Sequence, residues 1–276
     1  MNQSPNSLKH LVKVSRANFT CTKKMLRAVY LSEIVRSSQI VNLEDYVVER
    51  VPFFYRESEK MIETLNHGLF TTMIKETLQR LPSSQSFQES HFGEIVATLF
   101  AEEIMGLRRI YSKLSLLTSQ NSNAYKMDLI LYDPGKDPID IVFGEVKSSP
   151  KVSQNGTLPG HDSSCFASLF NSINKYSISD QEYDLTAARD NVEQLPPPER
   201  ERVRKALMPY SGAKIRVAGI VVIDNSTKHD SELSVLATRK NSTKFDVDVV
   251  GIEQYAEVAN SVYKKLEVVR KSVCSP

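Results

Sequence analysis

Two stretches place charged side chains inside apolar runs. Asp128 interrupts Met127-Asp128-Leu129-Ile130-Leu131, and Glu145 and Lys147 close the run from Ile139. Side chains alternate along a strand, so Glu145 and Lys147 share a face with Ile141 and Phe143. Between the runs lies Asp133-Pro134-Gly135-Lys136-Asp137-Pro138, dense in turn formers. A turn centred between Lys136 and Asp137 sets Asp128 directly opposite Glu145, with Cβ atoms about 4.5–5.5 Å apart. Two carboxylates and a lysine then meet at one point. Such carboxylates repel, and desolvation raises their pKa values unless a cation compensates. Mg²⁺ is the natural compensation, because it takes one or two carboxylates together with waters and phosphate oxygens, and such a set suits phosphodiester hydrolysis. Lys147 is placed to orient the attacking water or to offset charge on the phosphate oxygens. Glu94, on a helical stretch beside small residues, is placed to add a third carboxylate.

An acidic-x-Lys triplet is weak evidence by itself. Glu145-Val146-Lys147 is the only Asp/Glu-x-Lys in the chain, however, and it ends a predicted strand opposite one with an internal Asp. The competing reading is a surface hairpin whose face is solvated by Glu145, Lys147 and Lys126. The flanking apolar runs argue against that much exposure.

The elements that must hold these residues follow from periodicity. From Phe92, a stripe of Ile95, Val96, Leu99, Phe100 and Ile104 predicts a helix packed on a sheet. Strands are expected at Arg109–Leu117, Lys126–Tyr132 and Ile139–Lys147, forming a meander. A helix follows at Ser163–Tyr176, then a proline-punctuated spacer with a charged helix at Glu199–Leu207. Ile215–Asp224 has the continuous apolar character of a strand buried on both faces. Phe245–Ile252 is a further strand, and Glu253–Lys271 a closing amphipathic helix that serves the core. Before these, Leu26–Ile34 reads as a strand and Ser58–Leu81 has helical spacing. The polar break at Pro82–Ser86 suggests residues 1–85 as an accessory, partner-docking region and residues 86–276 as the catalytic domain. Whether the first block folds alone or completes the sheet stays open.

The chain has 276 residues with 35 Lys+Arg against 33 Asp+Glu, a net charge of +2, so no global basic field drives nucleic-acid binding. Three scattered cysteines exclude a zinc ribbon and a disulfide framework. No secretory signal and no membrane-length apolar run is seen, so a soluble, cytoplasmic protein is expected. Motifs for nucleotide phosphates, dinucleotides, zinc proteases and serine hydrolases are absent, so ATP hydrolysis would come from another chain. His161 and Asp162 read as loop, Cys165 as a helix-face hydrophobe, and Ser148-Ser149 as either phosphate contacts or a turn. Arg204 and Lys205 lie in a mixed-charge helix suited to local ion pairs.

Helix with Glu94, strand with Asp128, strand with Glu145-x-Lys147, helix and strand: this order resembles the PD-(D/E)XK restriction-endonuclease-like core over roughly Phe92 to Asp224, an α/β fold. More narrowly, Phe92-Gly93-Glu94, Lys126-Met127-Asp128 and Phe143-Gly144-Glu145-Val146-Lys147-Ser148-Ser149 resemble the HamA family, nuclease subunits of Hachiman anti-phage defence systems. The resemblance implies a Mg²⁺-dependent deoxyribonuclease, with Mn²⁺ as a substitute. Asp128 and Glu145 would be metal ligands, Lys147 the catalytic lysine and Glu94 the helix-borne acid. It also implies DNA as substrate and a helicase partner, HamB. One departure is that Met127, not proline, precedes Asp128. The other readings are a non-catalytic adaptor of nuclease fold that holds DNA or the helicase, and a structure-selective RNA or junction endonuclease.

Overall fold

The apolar run of Ile215–Asp224 becomes the middle strand of a seven-stranded sheet in the computed structural model, which describes residues 7–15, 26–55, 70–116, 126–150, 165–226 and 245–274. The strands are β1 (Val12–Ser15), β2 (Leu26–Ile34), β3 (Arg108–Ser112), β4 (Leu129–Asp133), β5 (Asp140–Ser149), β6 (Ile215–Asp224) and β7 (Phe245–Ile252). Their spatial order is β1-β2-β7-β6-β5-β4-β3. The four strands β2, β7, β6 and β5 run parallel, while β1 at one edge and β4 followed by the edge strand β3 at the other are antiparallel. Parallel strands need cover on both faces, which is why β6 and β7 carry few polar residues.

The helices are α1 (Leu43–Arg50), α2 (Phe70–Gln79), α3 (Gln85–Glu103), α4 (Cys165–Lys175), α5 (Ile178–Asn191), α6 (Pro197–Ala206) and α7 (Tyr255–Cys274). Alternation along the strands splits the core in two. Val142, Val146, Ala218, Ile220 and Val250 pack against α1, α3 and α7 on one face. Ile141, Phe143, Val217, Val221 and Val247 meet Phe166, Leu169, Phe170 and Ile173 of α4 on the other, with Ala188 of α5 and Val203 of α6. The fold is therefore α/β. Leu8, Leu43, Tyr46 and Phe54 belong to the same core as Phe92 and Ile95, and β2 pairs with β7, so the described part of the first block completes the sheet.

Several elements depart from their predicted bounds. Helix α3 starts at Gln85 rather than Phe92, because Ser84 caps it by accepting from the Phe87 N–H at 3.4 Å. Its first two turns carry mostly polar residues, so the apolar stripe marks only the part that lies on the sheet. The strand expected to Leu117 turns at Lys113 into a 3-10 segment, Lys113–Leu116, with Leu117 outside the described residues. Lys126, Met127 and Asp128 precede β4 rather than lying in it. Helices α1 and α5 have no counterpart in the sequence reading. Each opens with a capping side chain, Asn42 for α1 and Ser177, with Asp180 completing a capping box, for α5. The buried residues of α5 are Asp184, Ala187, Ala188 and Asn191, too small and polar to give an apolar stripe.

Helix α6 does more than space the chain. Arg202 donates to the backbone carbonyls of Pro134 and Lys136, and the Tyr132 hydroxyl donates to Glu199, so α6 braces the β4–β5 turn. Its mixed charges form the expected local pairs, Arg204 with Glu193 and Glu201. Helix α7 serves the core through Tyr255, Val258, Val262 and Leu266, as expected, although Val269 is partly exposed. No helix among the described residues is long and apolar enough to cross a membrane.

Candidate active site

The β4–β5 hairpin has the register that its turn chemistry predicts. Leu129 pairs with Gly144 and Asp133 with Asp140, which centres the turn between Lys136 and Asp137. One step beyond Leu129, Asp128 stands beside the Glu145–Val146 segment and its Oδ2 accepts the Val146 N–H at 2.8 Å. Asp128 and Glu145 are both buried. The Lys147 ammonium donates to Glu145 Oε1 at 2.5 Å, and the Ser172 hydroxyl of α4 nearby favours the charged carboxylate. Lys126 pairs with Asp180 at 3.3 Å instead, so the solvated cross-strand charge set is not formed.

Glu94 reaches this corner from α3. Burial, Asp128 and Glu145 push its pKa up to about 8, while Lys113 and Lys147 oppose the rise. Burial and Asp128 also raise Glu145, against Lys147 and Ser172. For Lys147, burial works against the charged form, but Glu145, Asp128 and Glu94 outweigh it, and the ammonium is held above its ordinary value. Glu94, Asp128, Glu145 and Lys147 thus share one electrostatic neighbourhood.

The close approach of α3 depends on Gly93. A Cβ there would lie 2.3 Å from Ser148 Cβ and 2.7 Å from the Tyr255 hydroxyl. That hydroxyl also donates to the Glu89 carbonyl at 2.7 Å, tying α7 to α3 one turn before Glu94. Ser148 therefore packs in a crowded helix–sheet junction. Below it, the Tyr55 hydroxyl lies 2.7 Å from His91 Nδ1 and 3.1 Å from the Tyr263 hydroxyl, and burial lowers the His91 pKa to about 4.

Two residues of the site escape the sequence reading. Asp184 of α5, fully buried, accepts the backbone N–H groups of Lys126 at 3.2 Å and Met127 at 3.1 Å and the Tyr176 hydroxyl at 3.0 Å. It fixes the chain just before Asp128. The only local hint was Ser177 with Asp180, which announces a helix but not its target. Lys113 Nζ lies 3.6 Å from Asp128 Oδ1, and its backbone N–H donates to the Asp128 carbonyl at 2.9 Å. Nothing local in the sequence ties it to a residue fifteen positions on. Cys165 is buried in the core as expected, while His161 and Asp162 lie outside the described residues.

Three carboxylates facing two ammonium groups, with two of the carboxylates raised in pKa, form a hard, oxygen-rich and electron-rich donor set that suits a divalent cation. Among the described residues no three His, Cys, Asp or Glu side chains form a ready-made metal cage. Lys147 and Lys113 instead occupy the carboxylate oxygens that a cation would share.

A HamA family profile matches residues 8–266 of the 276. The chain belongs to the HamA family. This HamA match identifies a protein of Hachiman anti-phage defence. It runs well beyond the Phe92–Asp224 segment at both ends and includes Glu94, Asp128, Glu145 and Lys147. It also takes in β1, β2 and most of α7, the elements that complete the HamA sheet and core. No curated protein matches the chain.

Proposed function

We propose that this HamA protein is the metal-dependent DNA nuclease of its defence complex, built on a PD-(D/E)XK-like core and working beside a helicase that delivers DNA. The observation that carries the reading is the convergence of Asp128, Glu145 and Lys147 at the open end of the β4–β5 hairpin, with Glu94 of α3 in the same electrostatic neighbourhood. The element order α3, β3-β4-β5, α4, β6 supports it. Asp128 and Glu145, with Glu94, would hold Mg²⁺ or Mn²⁺. Such a cation, when bound, offsets phosphodiester charge and makes water easier to deprotonate. Lys147, anchored on Glu145, orients the attacking water and offsets charge that builds on the phosphate oxygens. Gly93 and Asp184 keep Glu94 and Asp128 in place. Residues 1–85 are the region proposed to dock the helicase.

The adaptor reading has one observation in its favour, the pairing of Asp128 and Glu145 each with its own lysine. Purified protein, with supercoiled and linear DNA, Mg²⁺ or EDTA, and with or without helicase and ATP, separates the two. Cleavage that requires both metal and Glu145 is expected. A folded protein that binds DNA or the helicase but never cleaves would establish the adaptor.

A further inference from the structure

Lys147 has a part in the reading above, but the second lysine at the site has none. Lys113 opens the 3-10 segment after β3, where its backbone N–H donates to the Asp128 carbonyl at 2.9 Å and its Nζ lies 3.6 Å from Asp128 Oδ1. The backbone contact fixes the root of the side chain beside Asp128 whatever the ammonium does. The side chain is 22% exposed against 10% for Asp128, so solvent reaches it. A 3.6 Å separation is longer than a charge-assisted hydrogen bond, unlike the 2.5 Å grip of Lys147 on Glu145. Of the two ammonium groups, the one on Asp128 is the more easily released.

The charge count indicates what a released Lys113 would meet. With a divalent cation on the three carboxylates, Lys147 and Lys113 bring the site to one surplus positive charge, which a single phosphodiester neutralises. Without Lys113 the cation-loaded site would be neutral and would hold no net attraction for the phosphate.

Resting on the nuclease reading, we propose that Lys113 is a substrate-binding cation held in reserve. It pairs with Asp128 while no divalent cation is bound. When Asp128 turns its oxygens to the cation, Lys113 swings to a non-bridging oxygen of the scissile phosphodiester. The ammonium thereby trades one oxyanion for another and is never left unpaired in a partly buried place.

The test uses the full chain with Lys113→Met, which keeps the apolar stem, and Lys113→Arg, which keeps the charge. Mn²⁺ binding is measured by calorimetry, and binding of a fluorescent DNA duplex by anisotropy in Ca²⁺, the duplex being checked on a gel to be intact. Lys113→Met should bind Mn²⁺ about threefold more tightly, because a competing cation is gone. It should bind the duplex about tenfold more weakly, and the slope of log K against log salt should fall by about one phosphate contact. Lys113→Arg should keep most of the duplex affinity. Should Lys113→Met not fold, Lys113→Gln carries the same expectations. Weaker Mn²⁺ binding and a lower Tm with duplex affinity and salt slope unchanged would overturn the proposal, since Lys113 would then only position Asp128. Wild-type protein that cleaves DNA while the Met variant keeps the wild-type salt slope would overturn this inference alone. Wild-type protein that binds Mn²⁺ but no duplex would overturn the nuclease reading and this inference with it.

Discussion

Asp248 and Glu145 are buried acids at neighbouring levels of one sheet, two strands apart: Asp248 pairs with Ile220 on β6, and Ile220 with Val146 on β5. They point to opposite faces and have opposite surroundings. Glu145 holds Lys147 at 2.5 Å, with the Ser172 hydroxyl nearby favouring its charged form. Asp248 Oδ2 has no hydrogen-bond partner among the described residues, and burial with nearby Asp246 pushes its pKa up to about 7. A buried carboxylate without a cation loses its charge near neutrality, whereas one given an ammonium and a hydroxyl can keep it. Burial alone does not make a site, and the built-in opposite charge separates the candidate site from the acid on β7.

The largest effect should appear where that opposite charge is removed. Glu145→Gln or Lys147→Met should cut DNA cleavage by roughly a thousandfold, with circular dichroism and Tm little changed. Comparable cleavage by both variants would dissolve the contrast with Asp248. Removing the acid that anchors the chain before Asp128 comes next. Asp184→Ala leaves the buried N–H groups of Lys126 and Met127 without their acceptor and should cost about 3 kcal/mol in urea unfolding. Cleavage should fall with it, even though Asp184 is proposed to touch no substrate.

Asp248 itself predicts a pH effect of opposite origin. Its native pKa lies above its ordinary value of 3.8, so the folded state prefers the protonated acid. That contribution is fully present below the ordinary value and is lost as pH rises through about 7. Asp248→Asn should therefore gain stability relative to wild type between pH 4 and pH 8, on the order of 2 kcal/mol by denaturant titration, with cleavage unaffected. A pH-independent difference would mean that Asp248 is compensated. The smallest effect is steric: Gly93→Ala drives a methyl into Ser148 and should cost about 1–2 kcal/mol, with cleavage reduced because Glu94 is pushed away from the site. Wild-type Tm and cleavage in that variant would show that α3 can give way freely.

Much of the fold was legible in the sequence, although the burial of Asp248 was not. The bounds of β2, β6 and β7 coincide with the strands read from the sequence, most directly for β6, because a strand buried on both faces leaves a contiguous hydrophobic signal. The hairpin register was readable because Pro and Gly restrict where a turn can close, and it placed Asp128 beside Glu145. Helix α5 was not readable, since it buries alanines, an asparagine and an aspartate rather than a stripe. Its buried Asp184 accepts from backbone groups 57 and 58 positions away and leaves no local trace.

Composition, alternation and turn chemistry settled the α/β class, the central strands and the Asp128–Glu145–Lys147 corner, because each depends on residues near one another along the chain. The arrival of Glu94 through the Gly93 contact, the hold of Asp184 on the β4 entry, the place of Lys113 at Asp128, and the joining of β2 to β7 were decided only when distant segments packed. A contact between remote segments depends on how helices and strands pack in three dimensions, and no short window of sequence carries that information.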